Sequence, residues 1–132
     1  MNISNRITRN PETTSPEETV AAVRALMHAG GFRRMPVIDR GKLVGIITDH
    51  DVRKYSGDLL LTTKVADAMS RNPITIDPNT TVERAANLML LHKIGGLPVV
   101  DGDKLVGIIT TTDILKAFLD IVRASSEILR SD

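Results

Sequence analysis

"KLVGIIT" is written at Lys42–Thr48 and again, letter for letter, at Lys104–Thr110. Sliding the chain against itself by about sixty-two residues extends the match without a gap. Arg9-Asn10-Pro11 falls on Arg71-Asn72-Pro73, Thr19-Val20 on Thr81-Val82, Leu26-Met27 on Leu88-Met89 and Pro36-Val37 on Pro98-Val99. From Arg9 to Asp51, roughly twenty of some forty-three positions are identical. The fainter pairs Ile3 with Val65 and Ile7 with Met69 carry the register almost to the N-terminus. The expected division is therefore 1–62 for the first repeat, with its N-terminal strand and linker, and 63–132 for the second, with a long C-terminal helix.

The heptapeptide follows "MPVID" or "LPVVD" across a tight polar turn, "RGK" or "GDK". Two β-branched runs joined by such a turn predict a hairpin. Upstream, Ser15, Pro16 and Glu18 predict a capping box with proline at the first helical position. Val20, Val23, Leu26 and Met27 recur at helical spacing, Val82, Ala85, Ala86 and Met89 do the same, and Gly30-Gly31 supplies a stop. Beyond the heptapeptide, "TDHDVRKY" and "TTDILKAFLDIVRASSEILR" return to helical spacing. Each repeat thus reads strand, helix, strand, strand, helix, an α+β pattern. About sixty residues bury too little surface to be comfortable alone, so two similar units are expected to share a core about a pseudo-twofold axis, with paired clefts.

With 42% hydrophobic and 25% charged residues, the 132-residue chain has the balance of a globular protein. No apolar run approaches the roughly eighteen residues of a membrane span, and "MNISNRITRN" lacks a signal peptide's apolar core. The expectation is a cytoplasmic protein with no membrane partner. A net charge of +1 and only three aromatic residues, Phe32, Tyr55 and Phe118, argue against nucleic acid. With no cysteine and with His28, His50 and His92 outside ligand-like spacing, no metal site is expected. Neither "GxxxxGK[ST]" nor "GxGxxG" is present, and no serine stands in a suggestive relation to a histidine, so no catalytic residue is expected.

What remains is duplicated. "GIITDHD" (Gly45–Asp51) and "GIITTTD" (Gly107–Asp113) put a threonine at a strand end and an aspartate three residues on, at a helix start. Such a start favours anions, and the aspartate has oxygens to accept from the two hydroxyls of a ribose. The same four residues also spell a capping box and nothing more. Gly45 and Gly107, inside strands, mark a close approach of backbone or a bulge. Arg33 and Arg34 stand where the second copy has Gly95 and Gly96; they are phosphate ligands or solvated surface.

Two units of about sixty residues, each with "TTSP" or "TIDP", a helix, "MPVID" or "LPVVD", and "GIITxxD", resemble a tandem pair of CBS domains, named from cystathionine beta-synthase. The resemblance covers nearly the whole chain. It implies two βαββα units packed through their sheets into one module, which often forms a homodimer. It further implies a regulatory sensor, not an enzyme, that binds AMP, ADP, ATP or S-adenosylmethionine between the repeats as a regulatory ligand and requires no cofactor. Energy sensing would follow from an AMP or ATP signal.

By the same resemblance, Asp51 and Asp113 hold ribose, with Thr48 and Thr110 near ribose or phosphate. Met35, Pro36, Val37 and Thr13, and Leu97, Pro98, Val99 and Thr75, frame the base, and Arg34 reaches phosphate. Thr112 adds a hydroxyl to the second site, which also lacks the repulsive Asp49 and is the expected ribose site. Asn5 departs from the family's aspartate, present as Asp67, so the first N-terminal strand is expected to be less firmly held. With no effector domain in the sequence, the chain is expected to act on a separate effector protein, to buffer a ligand, or to depend on its own dimer. The alternative is a ligand-free interaction or dimerisation module using a stripe of Leu115, Phe118, Leu119, Val122 and Ile128 on the last helix.

Overall fold

The computed structural model describes residues 1–130, with side chains as far as Glu127. The order is β1 (Thr8–Arg9), α1 (Val20–Gly30), β2 (Arg34–Asp39), β3 (Lys42–Thr48), α2 (Asp49–Val52), α3 (Asp58–Thr62), α4 (Val65–Ala68), β4 (Ser70–Arg71), α5 (Val82–His92), β5 (Gly96–Asp101), β6 (Lys104–Thr110) and α6 (Thr111–Arg130). Two three-stranded sheets form, β2-β3-β4 and β1-β6-β5, giving the expected α+β class. The chain divides into two compact units. The α1 unit holds Asn10–Ile74 and Asp101–Leu105; the α5 unit holds Met1–Arg9, Thr75–Val100 and the chain from Val106.

In the α1 unit, helix α1 starts at Val20, four residues later than a Ser15 cap would place it. Thr19 is the N-cap, its hydroxyl accepting from the Ala22 amide at 3.1 Å. The reason is non-local. The Pro16 and Glu18 carbonyls accept from the amides of Ala66 (3.0 Å) and Val65 (2.8 Å), so the backbone before Thr19 is already bound to another segment. In the α5 unit Thr81 caps α5 in the same way, accepting from the Arg84 amide at 3.0 Å. Val20, Val23 and Met27 of α1 pack with Met35, Val37, Ile47, Val52 and Val65. Leu26, expected in that stripe, is 41% exposed. At about 100° per residue it stands roughly a quarter-turn from the centre of the buried face.

The β2–β3 hairpin turns through Arg40 and Gly41, both at positive φ (53° and 79°), the signature of the I′ turn that matches strand twist. Register runs Arg34 to Thr48 and Val37 to Gly45, then slips so that Ile38 faces Leu43. This is a bulge at Val44. The bulge stands next to Gly45, and a close approach of backbone holds for both strand glycines. A Cβ on Gly45 would lie 2.8 Å from the Ser70 carbonyl oxygen of β4, and one on Gly107 would overlap the Thr8 carbonyl of β1. The close approach is by the chain's own edge strands.

Those edge strands are exchanged relative to the repeats. β4, which opens the second repeat, pairs with β3 at Gly45–Arg71 and Ile46–Ser70. β1, which opens the first, pairs with β6 at Thr8–Ile108 and Arg9–Gly107. Ile3 and Val65, aligned in the register, are both fully buried. The Ile3 amide donates to Thr80 O at 2.9 Å and the Val82 amide to Met1 O at 3.0 Å, which ties the N-terminal segment to the start of α5. The core of the α5 unit includes Ile3, Ile76, Ala85, Met89, Leu97, Val99, Ile109 and Ala117. Of the expected α6 stripe, Leu115, Phe118, Leu119 and Val122 are exposed (42–57%), and Ile128 lies outside the described side chains. Among the described residues, no helix is long and apolar enough to cross a membrane.

Candidate functional site

β3 delivers Thr48 to the start of α2, where a reciprocal capping box forms. The Thr48 hydroxyl accepts from the Asp51 amide at 3.2 Å. Asp51 Oδ2 accepts from the Thr48 amide at 2.9 Å and from the Thr48 hydroxyl at 3.0 Å. Both acceptor positions of Oδ2 are thereby filled and the carboxylate is fixed in direction. Among the described residues Oδ1 has only the Lys54 ammonium nearby, at 4.0 Å. Arg34 is the cross-strand partner of Thr48, so three predicted residues, Arg34, Thr48 and Asp51, converge at one end of the sheet.

The electrostatics there favour an anion. Arg34 is half-buried, and burial first, then the neighbouring Arg33 charge, lowers its guanidinium pKa below the ordinary arginine value. Among the described residues neither arginine has a carboxylate partner. Asp49, expected to repel a ligand, makes an exposed ion pair with Arg53 at 3.4 Å. α2 has four residues, too short for a strong macrodipole, so arginines supply the positive charge that the helix start does not.

In the α5 unit the box repeats. Asp113 Oδ2 accepts from the Thr110 amide (2.8 Å) and hydroxyl (3.0 Å), and the Asp113 amide approaches the Thr110 hydroxyl at 3.4 Å. Asp113 Oδ1 has no partner among the described residues. Thr112 is exposed, whereas the Thr111 hydroxyl already donates to Gly95 O at 3.3 Å. At this end Gly95 and Gly96 stand in place of the two arginines, while the 20-residue α6 brings a full dipole.

The other predicted residues divide by depth. Met35, Pro36, Val37, Leu97, Pro98 and Val99 are fully buried, so their side chains belong to the cores. Thr13 and Thr75 are exposed. Thr13 lines an open hollow of about 390 Å³ by the hairpin tip, with Ile38, Gly41 and Lys104, but without Thr48 or Asp51. The residues that actually grip β2 and β5 are the next ones along, Thr14 and Ile76. Thr14 donates to Pro36 O (3.0 Å) and accepts from the Ile38 amide (2.8 Å); Ile76 donates to Pro98 O (3.1 Å) and accepts from the Val100 amide (2.8 Å). No local signal marks them, since a single parallel bridge needs only backbone. No three acidic or histidine side chains gather into a metal site among the described residues.

A family model described as the CBS domain matches the chain twice, at residues 3–58 and 65–120. Inosine-5'-monophosphate dehydrogenase of Korarchaeum cryptofilum is 40% identical over 109 residues, which is 82% of this chain. The chain spans only 22% of that enzyme's length. The crystal structure of CBSX2 in complex with AMP, a protein of Arabidopsis thaliana, is similar with a TM-score of 0.83 and 30% identity, covering 91% of this chain and 97% of that one. The CBS domain pair of protein MJ0100, in complex with 5'-methylthioadenosine and S-adenosyl-L-methionine, is similar with a TM-score of 0.80 and 30% identity, covering 89% and 95%.

Proposed function

Since the chain belongs to the CBS domain family, we propose that it is a regulatory module that binds adenosine-containing ligands and passes the signal to a separate protein. The observation that carries this reading is the duplicated box in which Oδ2 of Asp51 and of Asp113 is held by its threonine and Oδ1 is left over. A carboxylate held in one direction by its own backbone is a prepared acceptor for a ribose hydroxyl. Arg34, desolvated and without a counter-charge, takes the phosphate, so the α1 unit binds AMP, ADP or ATP. The Gly95-Gly96 end takes an adenosine ligand with less negative charge, such as S-adenosylmethionine. Thr13 and Thr75, with backbone from Met35 to Val37 and from Leu97 to Val99, border the base. The complexes of CBSX2 with AMP and of MJ0100 with S-adenosyl-L-methionine support adenosine-containing compounds as the ligand class.

In this reading the module works in the cytoplasm as a homodimer, senses energy state if AMP and ATP compete, and catalyses nothing. Turnover of AMP or ATP that Asp113→Ala abolished would overturn the last point.

Thermal unfolding against AMP, ADP, ATP, S-adenosylmethionine and GTP tests the reading. A ligand at about a hundred times its Kd adds roughly 2.7 kcal/mol, a shift of several degrees at this size. A shift with an adenosine compound, absent with GTP and lost in Asp51→Ala or Asp113→Ala, is the expected result. Flat curves from nucleotide-free protein would favour a second reading, an interaction module. That reading draws on the exposed apolar side chains of α5 and α6, among them Leu90 (78%), Leu91 (74%) and Phe118 (57%).

A further inference from the structure

We propose that the α1 unit holds a second ligand site, for a small organic phosphate, in the cleft between α1 and the turn that joins α2 to α3. Ala21, Arg24, Ala25 and His28 follow one another at i, i+3, i+4 and i+7 and so form one stripe along α1. The two alanines leave a trough and the other two side chains stand over it. Across from them lie Val52, Arg53, Tyr55 and Leu60, enclosing about 330 Å³, with an adjoining hollow of about 220 Å³ that shares Arg24, His28 and Leu60. The floor is apolar, and the rim carries two guanidinium groups, an imidazole and one carboxylate, that of Asp49, which is paired with Arg53. Arg24 has no carboxylate partner among the described residues, and Arg53 gives Asp49 one exposed contact at 3.4 Å, leaving most of its five donors free.

Surface cations alone mean little, and here the second repeat serves as an internal control. In the repeat register Arg24, His28 and Arg53 become Ala86, Leu90 and Leu115, and Tyr55-Ser56-Gly57 becomes Ala117-Phe118-Leu119. The second copy thus lacks all three of these cations, and it carries Glu83 and Asn87 where the first has Ala21 and Ala25, so only the first could draw an anion here. The backbone has changed with the chemistry. α6 runs unbroken through Leu119, whereas α2 stops at Val52 and Gly57 turns the chain at φ 58°, ψ −134°, a conformation open essentially to glycine alone. That break opens the cleft. A phosphate between Arg24 and Arg53, with an aromatic or aliphatic body on Val52, Tyr55 and Leu60, satisfies both rim and floor.

The test titrates the labelled full-length protein with phenyl phosphate to about 10 mM, followed by amide NMR, with inorganic phosphate and phenol as the two halves of the probe. Phenyl phosphate is expected to shift the amides of Arg24, His28 and Arg53 through Leu60 together, inorganic phosphate to act more weakly, and phenol to leave them in place. The double variant Arg24→Gln, Arg53→Gln should raise the Kd at least about tenfold. Both side chains are exposed, so its unfolding midpoint and its response to AMP should match the parent, which separates this site from the Thr48–Asp51 one. Shifts confined to Arg33, Arg34 and Thr48, an undiminished response in the double variant, an equal response to phenol, or no response at all would each overturn the proposal.

Discussion

Lys93 closes α5 at φ 55°, the left-handed cap position that Gly31 fills at φ 69° at the end of α1. A side chain there strains against its own carbonyl, so Lys93→Gly should raise stability by about 1 kcal/mol, read as a higher urea midpoint at unchanged slope. Gly107 presents the opposite case. A methyl group there meets the Thr8 carbonyl, so Gly107→Ala should destabilise by about 2 kcal/mol or more and loosen β1. Arg34 separates stability from binding. Its charged form is disfavoured by burial and by Arg33, so Arg34→Met, which keeps the apolar stem, should leave unfolding unchanged or slightly harder while weakening AMP at least about tenfold. An arginine that merely decorated the surface would show neither effect on affinity nor selectivity for phosphate. At this scale the site was partly legible from sequence. Thr48, Asp51 and Arg34 meet because strand register and one helical turn are local rules, while Thr14 and Ile76 act through backbone alone and leave no trace in residue type.

Among the elements, the hairpins and central helices follow from period and turn chemistry, and both appear where the spacing puts them. The start of α1 does not. Ser15, Pro16 and Glu18 make a sound local cap, yet Val65 and Ala66 claim the carbonyls that such a helix would need, and that competition arises some fifty residues away. The docking segments themselves are held by exposed ion pairs with opposite pH signatures. Arg6, hydrogen-bonded to Asp120, holds that carboxyl below its usual 3.8. A depressed folded-state value means that this contribution is present above about pH 4 and is lost as the pH falls through the lower folded value. Lys64, hydrogen-bonded to Glu17 at 2.7 Å, is raised above 10.5, so its contribution is present below that pH and is lost as the pH rises further. Urea midpoints measured from about pH 5 to 2.5 should fall less steeply for Asp120→Asn than for the parent, and those measured above about pH 10 less steeply for Glu17→Gln.

For the molecule as a whole, the exchanged edge strands decide which part of the chain supports which. Removing Met1–Arg9 takes nothing from the sheet of the first repeat; it strips β1 from β6 and Ile3 from the core of the α5 unit. Hydrogen exchange on such a truncation should show protection lost at Ile108, Ile109 and Ala85 and retained at Val23 and Met27. The same exchange makes the protein a natural candidate for fragment complementation. A chain cut after Thr62 yields two pieces, each lacking the edge strand and the buried aliphatic anchor that its own sheet uses, and each carrying the one that the other needs. Neither piece should fold cooperatively alone. Mixed in equal amounts they should regain a single unfolding transition, with the joining of the halves now dependent on concentration and open to being switched by whatever brings them together.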